Sequence, residues 1–247
     1  MSRIVCWFSC GAASAVATKL AIADNAGRLP LVIAYTEVVN EHPDNRRFLK
    51  ECEKWFGQDI LVLRNDRYNA DIYEVFRQEK FIVGPKGAPC TRLLKRQVRV
   101  FFEEEDDEQV FGFTYEEIDR AKKFQERNSY VKNRTPLIDR SLTKQDCLAM
   151  IDRAGISIPK MYSLGYRNNN CIGCVKGGMG YWNKIRVDFP HQFKRMARLE
   201  REIGHSVLKD DKGPVFLDEL APDRGVDAEQ PDIECSFFCH MAEQDIA

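Results

Sequence analysis

The chain has 247 residues, 44% of them hydrophobic and 30% charged, with a formal net charge of −1. Such a length and apolar share provide a sizeable core, either as one large α/β domain or as a domain with an appendage. The near-neutral balance gives no general electrostatic reason to bind nucleic acid or a membrane surface. No apolar run is long enough to span a bilayer, and Met1-Ser2-Arg3 leads into a strand rather than a signal peptide, so the expected compartment is cytoplasmic.

In chain order, Ile4-Val5-Cys6-Trp7-Phe8 reads as a buried parallel strand and Ala15 to Ala23 as a helix of good formers. Between them lies a turn of small residues, Ser9-Cys10-Gly11-Ala12-Ala13-Ser14, with Gly11 free to take positive φ. Backbone N–H groups and two hydroxyls at a helix N-terminus favour a phosphate or sulfate; an ordinary tight turn capped by Ser14 is the competing reading. Residues 31–36 read as a second strand ending at Thr36-Glu37. Pro43 opens a helix with Phe48, Leu49, Cys52, Trp55 and Phe56 at helical spacing, closed by Gly57. Residues 60–63 make a third strand. Short apolar strands alternating with helices imply a parallel sheet with helices on both faces, whose ligands bind beyond the carboxyl ends, where Ser9, Thr36 and Glu37 fall.

A helix is expected over 71–80. A Gly/Pro loop, 83–89, then delivers Cys90 at the start of a helix bearing Thr91, Arg92, Lys95 and Arg96. Residues 103–108 read as an acidic solvated turn, 109–114 as a fourth strand, and 115–124 as a helix containing Arg120. Thr143 is the expected N-cap of a helix over 144–154. Residues 161–170 are irregular and run into Cys171-Ile172-Gly173-Cys174. An amphipathic helix over 190–203 carries Arg195, Arg198 and Arg201, and the Asp-, Glu- and Pro-rich remainder suggests a loosely packed tail. The expected division is therefore 1–165 as the nucleotide-binding α/β domain, 166–205 as the Cys-x-x-Cys segment with a helix packed on it, and 206–247 as a tail.

Nine cysteines without a secretory signal point to metal binding or redox chemistry rather than structural disulfides. Cys6 and Cys147 sit in apolar patterns and read as core. Cys171 and Cys174, in a Gly-flanked turn, can converge on one ion or cluster. A thioredoxin-type pair belongs at a helix start after a strand, and a zinc ribbon needs a second Cys-x-x-Cys. An iron–sulfur cluster with Cys90 as third ligand remains, against two incidental cysteines.

Ser9-Cys10-Gly11-Ala12-Ala13-Ser14 resembles the PP-loop, Ser-Gly-Gly-x-Asp-Ser, of the adenine nucleotide alpha hydrolase superfamily. Tyr35-Thr36-Glu37 resembles that superfamily's Asp-Thr-Gly strand end. Pro136-Leu137-Ile138, Asp146, Met161-Tyr162-Ser163-Leu164-Gly165-Tyr166 and Cys171-x-x-Cys174 are similar to the Pro-Leu, aspartate, Leu-Tyr-x-x-Gly-Tyr and Cys-x-x-Cys run that marks its phosphoadenylylsulfate (PAPS)/adenylylsulfate (APS) reductase family. The likeness covers roughly residues 3 to 180. Cys10 stands where the loop has a Gly and Ala13 where it has an Asp, while Pro89-Cys90 offers one thiol where APS reductases have a tandem pair.

The resemblance implies a Rossmann-like (HUP-type) fold followed by an irregular, cysteine-containing C-terminal region. It implies an adenine nucleotide (PAPS, APS or ATP) bound by Ser9, Gly11, Ser14 and Thr36, with Arg92, Lys95, Arg120 and Lys176 as candidate anion partners. It further implies a 4Fe-4S cluster on Cys90, Cys171 and Cys174. Glu234-Cys235 begins like the reductases' Glu-Cys-Gly-x-His nucleophile motif, but the segment continues to Cys239-His240. The first reading is thus an oxidoreductase in which Cys235, with Cys239 as second tail thiol, attacks adenylyl sulfate, and thioredoxin or glutaredoxin supplies electrons. The second is an ATP- and Mg-dependent sulfurtransferase acting on RNA or another acceptor, favoured by the three-cysteine count. The third is a non-catalytic nucleotide- or cluster-binding accessory protein.

Overall fold

Five consecutive apolar residues can be buried on both faces only in a central strand, and Ile4–Phe8 (β1) is buried along its whole length. The computed structural model describes residues 2–85, 87–226 and 229–231. In chain order the helices are α1 (Ala12–Asn25), α2 (Asn45–Phe56), α3 (Ile72–Glu79), α4 (Gln97–Phe102), α5 (Ile118–Arg127), α6 (Lys144–Arg153), α7 (Lys160–Ser163), α8 (Met179–Asp188) and α9 (Pro190–Ile203). The further strands are β2 (Leu31–Thr36), β3 (Ile60–Leu63), β4 (Glu108–Val110), β5 (Lys132–Arg134), β6 (Leu208–Asp210) and β7 (Gly213–Val215). Among the described residues no helix is long and apolar enough to cross a membrane.

The chain divides into two compact units. The first comprises Met1–Glu37, Pro43–Leu63 and Val98–Leu164; the second comprises Val38–His42, Arg64–Gln97 and Gly165–Ala247. The first unit holds a parallel sheet in the order β3-β2-β1-β4-β5. On one face Ile4, Cys6 and Phe8 pack with Ala13 and Val16 of α1, Phe48 and Cys52 of α2, and Cys147 and Ile151 of α6. Burial pushes the Cys6 thiol up to about 12 and that of Cys52 higher still, so both remain neutral core groups. On the other face Trp7 meets Phe102 of α4 edge-on at 6.0 Å, and its indole donates to Gln109 Oε1 at 3.0 Å. The α/β class with a parallel sheet flanked by helices is as expected. Thr143 caps α6 in a capping box with Asp146, and Gly57 closes α2 at φ 72°.

Several expectations are corrected. The fourth strand ends at Val110, and residues 115–117 form a 3₁₀ turn before α5 rather than the first turn of a helix. The acidic turn is only partly solvated: Asp107 is buried on Arg3 at 2.8 Å, and Glu103 pairs with buried Arg99 at 2.5 Å. In the second unit α8, a helix not expected from the sequence, follows the cysteine turn and buries Tyr181, Trp182 and Ile185. Residues 205–220 are packed rather than loose. The β6–β7 hairpin is anchored on Glu200 of α9, whose carboxylate accepts Val207 N–H at 2.6 Å and Leu217 N–H at 2.7 Å, and Leu217 and Leu220 are buried.

Candidate functional site

The turn after β1 is closed by its own hydroxyls. Ser14 Oγ accepts the Ser9 N–H and the Ser9 hydroxyl, each at 3.0 Å, and donates to Gly11 O at 3.0 Å. Ser14 thus braces the loop through its own hydroxyl. Gly11 lies in extended conformation (φ −100°, ψ 159°) as the N-cap of α1. The left-handed residue is Cys10, at φ 56°, which corrects the expectation that Gly11 takes the positive φ. Cys10 is fully buried, its Sγ 3.9 Å from Asn45 O at the start of α2. The first turn of α1 carries no acidic residue, and its N-cap makes no side-chain hydrogen bond to the leading N–H groups of the positive helix end.

Two strand ends meet this turn's level of the sheet. Thr36, buried, closes β2 in register with Leu63 of β3. Beyond β4, Gly112 touches α1: a Cβ there would lie 2.7 Å from Ser14 N and 2.8 Å from Ser14 Cα. Only glycine permits that approach. Gly112 is the residue that sequence reasoning missed, although a glycine inside a strand pattern is its available signal. The reversal of strand order falls between β1 and β4, so the Ser9–Ser14 turn and Gly112 stand at the topological switch point of the sheet.

The expected anion partners are all in hand-to-hand contact with protein groups where their contacts are defined. In the first unit Arg120 pairs with Glu117 one turn earlier and lies over the Phe113 ring. In the second, Arg92 pairs with Glu79 at 2.9 Å, and Lys95 is buried on Glu41 at 3.2 Å. A buried pair of this kind has its charge neutralised in place. Lys176 is half-buried. Of the α9 arginines, Arg195 stacks on Tyr73 at 3.7 Å and pairs with Asp71, while Arg201 bridges Asp218 and Glu219. Both are structural cations of the second unit.

The Cys171–Cys174 turn is built with more restraint than its loop sequence suggests. Ile172 N–H donates to Asn40 O at 2.9 Å and Cys174 N–H to the Tyr181 hydroxyl at 2.8 Å. Gly173, at φ 74°, lies on the Trp182 ring, where a Cβ would come within 2.9 Å. Gly177 lies flat on Tyr181. Burial, then the neighbouring Cys174, pushes the Tyr181 hydroxyl well above its usual range, so it stays protonated as a neutral strut. Cys171 and Cys174 are buried. Cys90, half-buried, starts a π-turn over Thr91–Arg96, in which Gln97 N–H reaches Arg92 O. Such turns recur at functional sites.

The Thr91 hydroxyl and the Trp182 indole N–H are buried and have no hydrogen-bond partner among the described residues. One is next in sequence to Cys90 and the other belongs to the ring beneath Gly173. Among the described residues, no three His, Cys, Asp or Glu side chains stand gathered as a metal-binding group. Cys235 and Cys239 lie outside the described residues.

No family model matches the chain. It is similar to an uncharacterized protein of Methanocaldococcus jannaschii, 25% identical over 179 residues, a stretch that makes up 69% of this chain and 36% of that protein. The matched stretch thus spans about a third of that relative's length.

Proposed function

We propose that the chain is an enzyme of the PAPS/APS reductase type, with a Rossmann-like, HUP-type nucleotide-binding unit and a thiol-bearing C terminus. The observation that carries this reading is the position of the Ser9–Ser14 turn: it caps α1 at the switch point, closed by Ser14 and approached by Gly112. A helix start with no acidic residue in its first turn favours a phosphate or sulfate. Thr36 at the end of β2 would help position the adenosine.

In this reading the Cys235 thiolate attacks the sulfur of adenylyl sulfate. A sulfur–sulfur bond forms, and the bond from sulfur to the bridging phosphate oxygen breaks, with the nucleotide leaving on that electron pair. A second thiol, from Cys239 or from a dithiol donor such as thioredoxin or glutaredoxin, then attacks Cys235 Sγ. Sulfite departs and a disulfide remains, so two thiols supply the two electrons. Cys171, Cys174 and Cys90 would hold a 4Fe-4S cluster, which would supply an electrostatic contribution when bound.

A second reading, ATP-dependent sulfur transfer, is favoured by a single feature. Cys90 follows Pro89, so that position of the chain offers one thiol rather than a pair. ATP with Mg would then adenylate a carbonyl oxygen on RNA or another acceptor.

The test is a pair of variants. Gly11 occupies an extended conformation open to any residue, so Gly11→Val is expected to fold normally and to lose nucleotide binding by calorimetry, because its side chain fills the turn. Cys235→Ser is expected to abolish sulfite release from adenylyl sulfate and a thiol reductant. Undiminished nucleotide affinity in the first variant removes the loop from the site. Persistent sulfite release in the second moves the nucleophile elsewhere, and AMP formation from ATP only when RNA is added selects the second reading.

A further inference from the structure

The last described residues run back across the cysteine turn of their own unit. Glu229 O accepts Gly178 N–H at 2.8 Å and its carboxylate accepts Gly180 N–H at 2.7 Å, so this one residue caps the N-terminus of α8. Gln230 takes Arg167 N–H on Oε1 at 2.9 Å and gives its amide to Gly165 O at 3.2 Å. Pro231 O accepts Asn168 Nδ2 at 2.6 Å. Residues 165–168 and 178–180 are the two ends of the loop that contains Cys171 and Cys174. The strap therefore ties the loop on both sides, with both thiols between the tied points.

The fit is backbone against backbone. A Cβ at Gly180 would land inside the Val226 carbonyl, and one at Gly225 would collide with Gly180 N. Asn168, Asn169 and Asn170 are buried in the same loop. A loop with three consecutive buried amides and two buried thiols has a polar interior that water would otherwise fill, and its closure depends on what fastens its ends.

We infer that Gly225, Val226 and residues 229–231 form a latch on the Cys171–Cys174 turn. Fastened, it keeps both thiols shielded and correctly spaced; released, it opens the loop at both ends and exposes them. The latch ends four residues before Cys235, so the segment that carries the tail thiol is also the one that governs access to the turn. This inference stands without a cluster or a nucleotide, since it concerns the loop and the strap alone.

Thiol-labelling kinetics test it on the full-length protein as purified, with N-ethylmaleimide under native conditions and peptide-level mass spectrometry. Two variants lift the strap in different ways. Glu229→Ala/Gln230→Ala removes its side-chain ties, and Gly180→Ala pushes Val226 away while favouring helix at that position. Both are expected to accelerate labelling of Cys171 and Cys174 by about ten-fold or more, with Cys6 and Cys52 of the first unit remaining protected. Rates at Cys171 and Cys174 that stay at the wild-type value in both variants overturn the latch. So does equal acceleration at Cys6 and Cys52, which would mark general loosening, and so does rapid labelling of the two thiols in the wild type.

Discussion

Cys10 pays for the shape of the first turn. A non-glycine residue in the left-handed region costs about 1–2 kcal/mol, yet Cys10 holds φ 56° with its side chain fully buried. The strain persists because the surrounding bonds over-determine the loop: Ser14 fixes Ser9 on one side of Cys10 and Gly11 on the other. The resembling loop has Gly at this position, in keeping with the conformation found. Cys10→Gly is expected to change stability by no more than about 1 kcal/mol, because relief of the strain offsets the lost thiol packing. Cys10→Val is expected to cost about 2–3 kcal/mol, since a β-branched residue at positive φ is a true outlier. Urea unfolding of the two variants measures this, and equal losses would show that packing, not conformation, governs the site.

Among the elements, α9 and its hairpin hold the clearest proton-linked feature. Glu200 is completely buried, and burial raises its carboxyl to about 7 despite two backbone N–H donors. The native state therefore holds a proton that the unfolded chain has lost between about pH 4.5 and 7. Stability must fall as pH rises through that window, by at most about 1.4 kcal/mol per pH unit. The carboxylates held below their usual range, among them Glu116, Asp146 and Asp218, act on the acid side of this window. Thermal unfolding from pH 5 to pH 8 is expected to show a downward slope that is flatter in Glu200→Gln. Parallel slopes in the two proteins would mean that Glu200 ionises at its ordinary value. The sequence offers no hint of this: Glu200 falls among Arg198, Arg201 and Glu202 in a run that reads as a solvated face, and only the hairpin folding back over it buries the carboxyl.

Across the whole molecule, what was legible followed from local rules. Continuous apolar runs gave β1, β2 and β3, and Thr143 and Gly57 gave the start of α6 and the end of α2. What was not legible needed distant partners. β5, Lys-Asn-Arg, has no apolar pattern and exists because β4 pairs with it. Gly112 gains its meaning only where α1 comes against it. Arg92, Lys95 and Arg120 look available for a ligand until Glu79, Glu41 and Glu117 are found beside them.

The second unit, like the first, is assembled from three separate stretches of chain, but its last stretch reaches the end of the chain. Its residues 64–97 precede by many residues the helices that complete it, whereas the core of the first unit is finished by Ile156. A chain ended after Leu164 is thus expected to keep slow hydrogen exchange in β1 and β2 while residues 64–97 exchange freely. Mass spectrometry of exchanged peptides reads both regions, and protection of 64–97 in that fragment would show that this stretch folds without the rest of its unit.

The π-turn over Thr91–Arg96 amounts to an α-helix carrying one surplus residue. Each residue of an α-helix turns the chain by about 100°, so deleting one position there would restore a regular helix running into α4 and swing Cys90 by about that angle around its axis. The bearing of this thiol is therefore encoded by a single inserted residue, a change that one codon's loss or gain could make or undo.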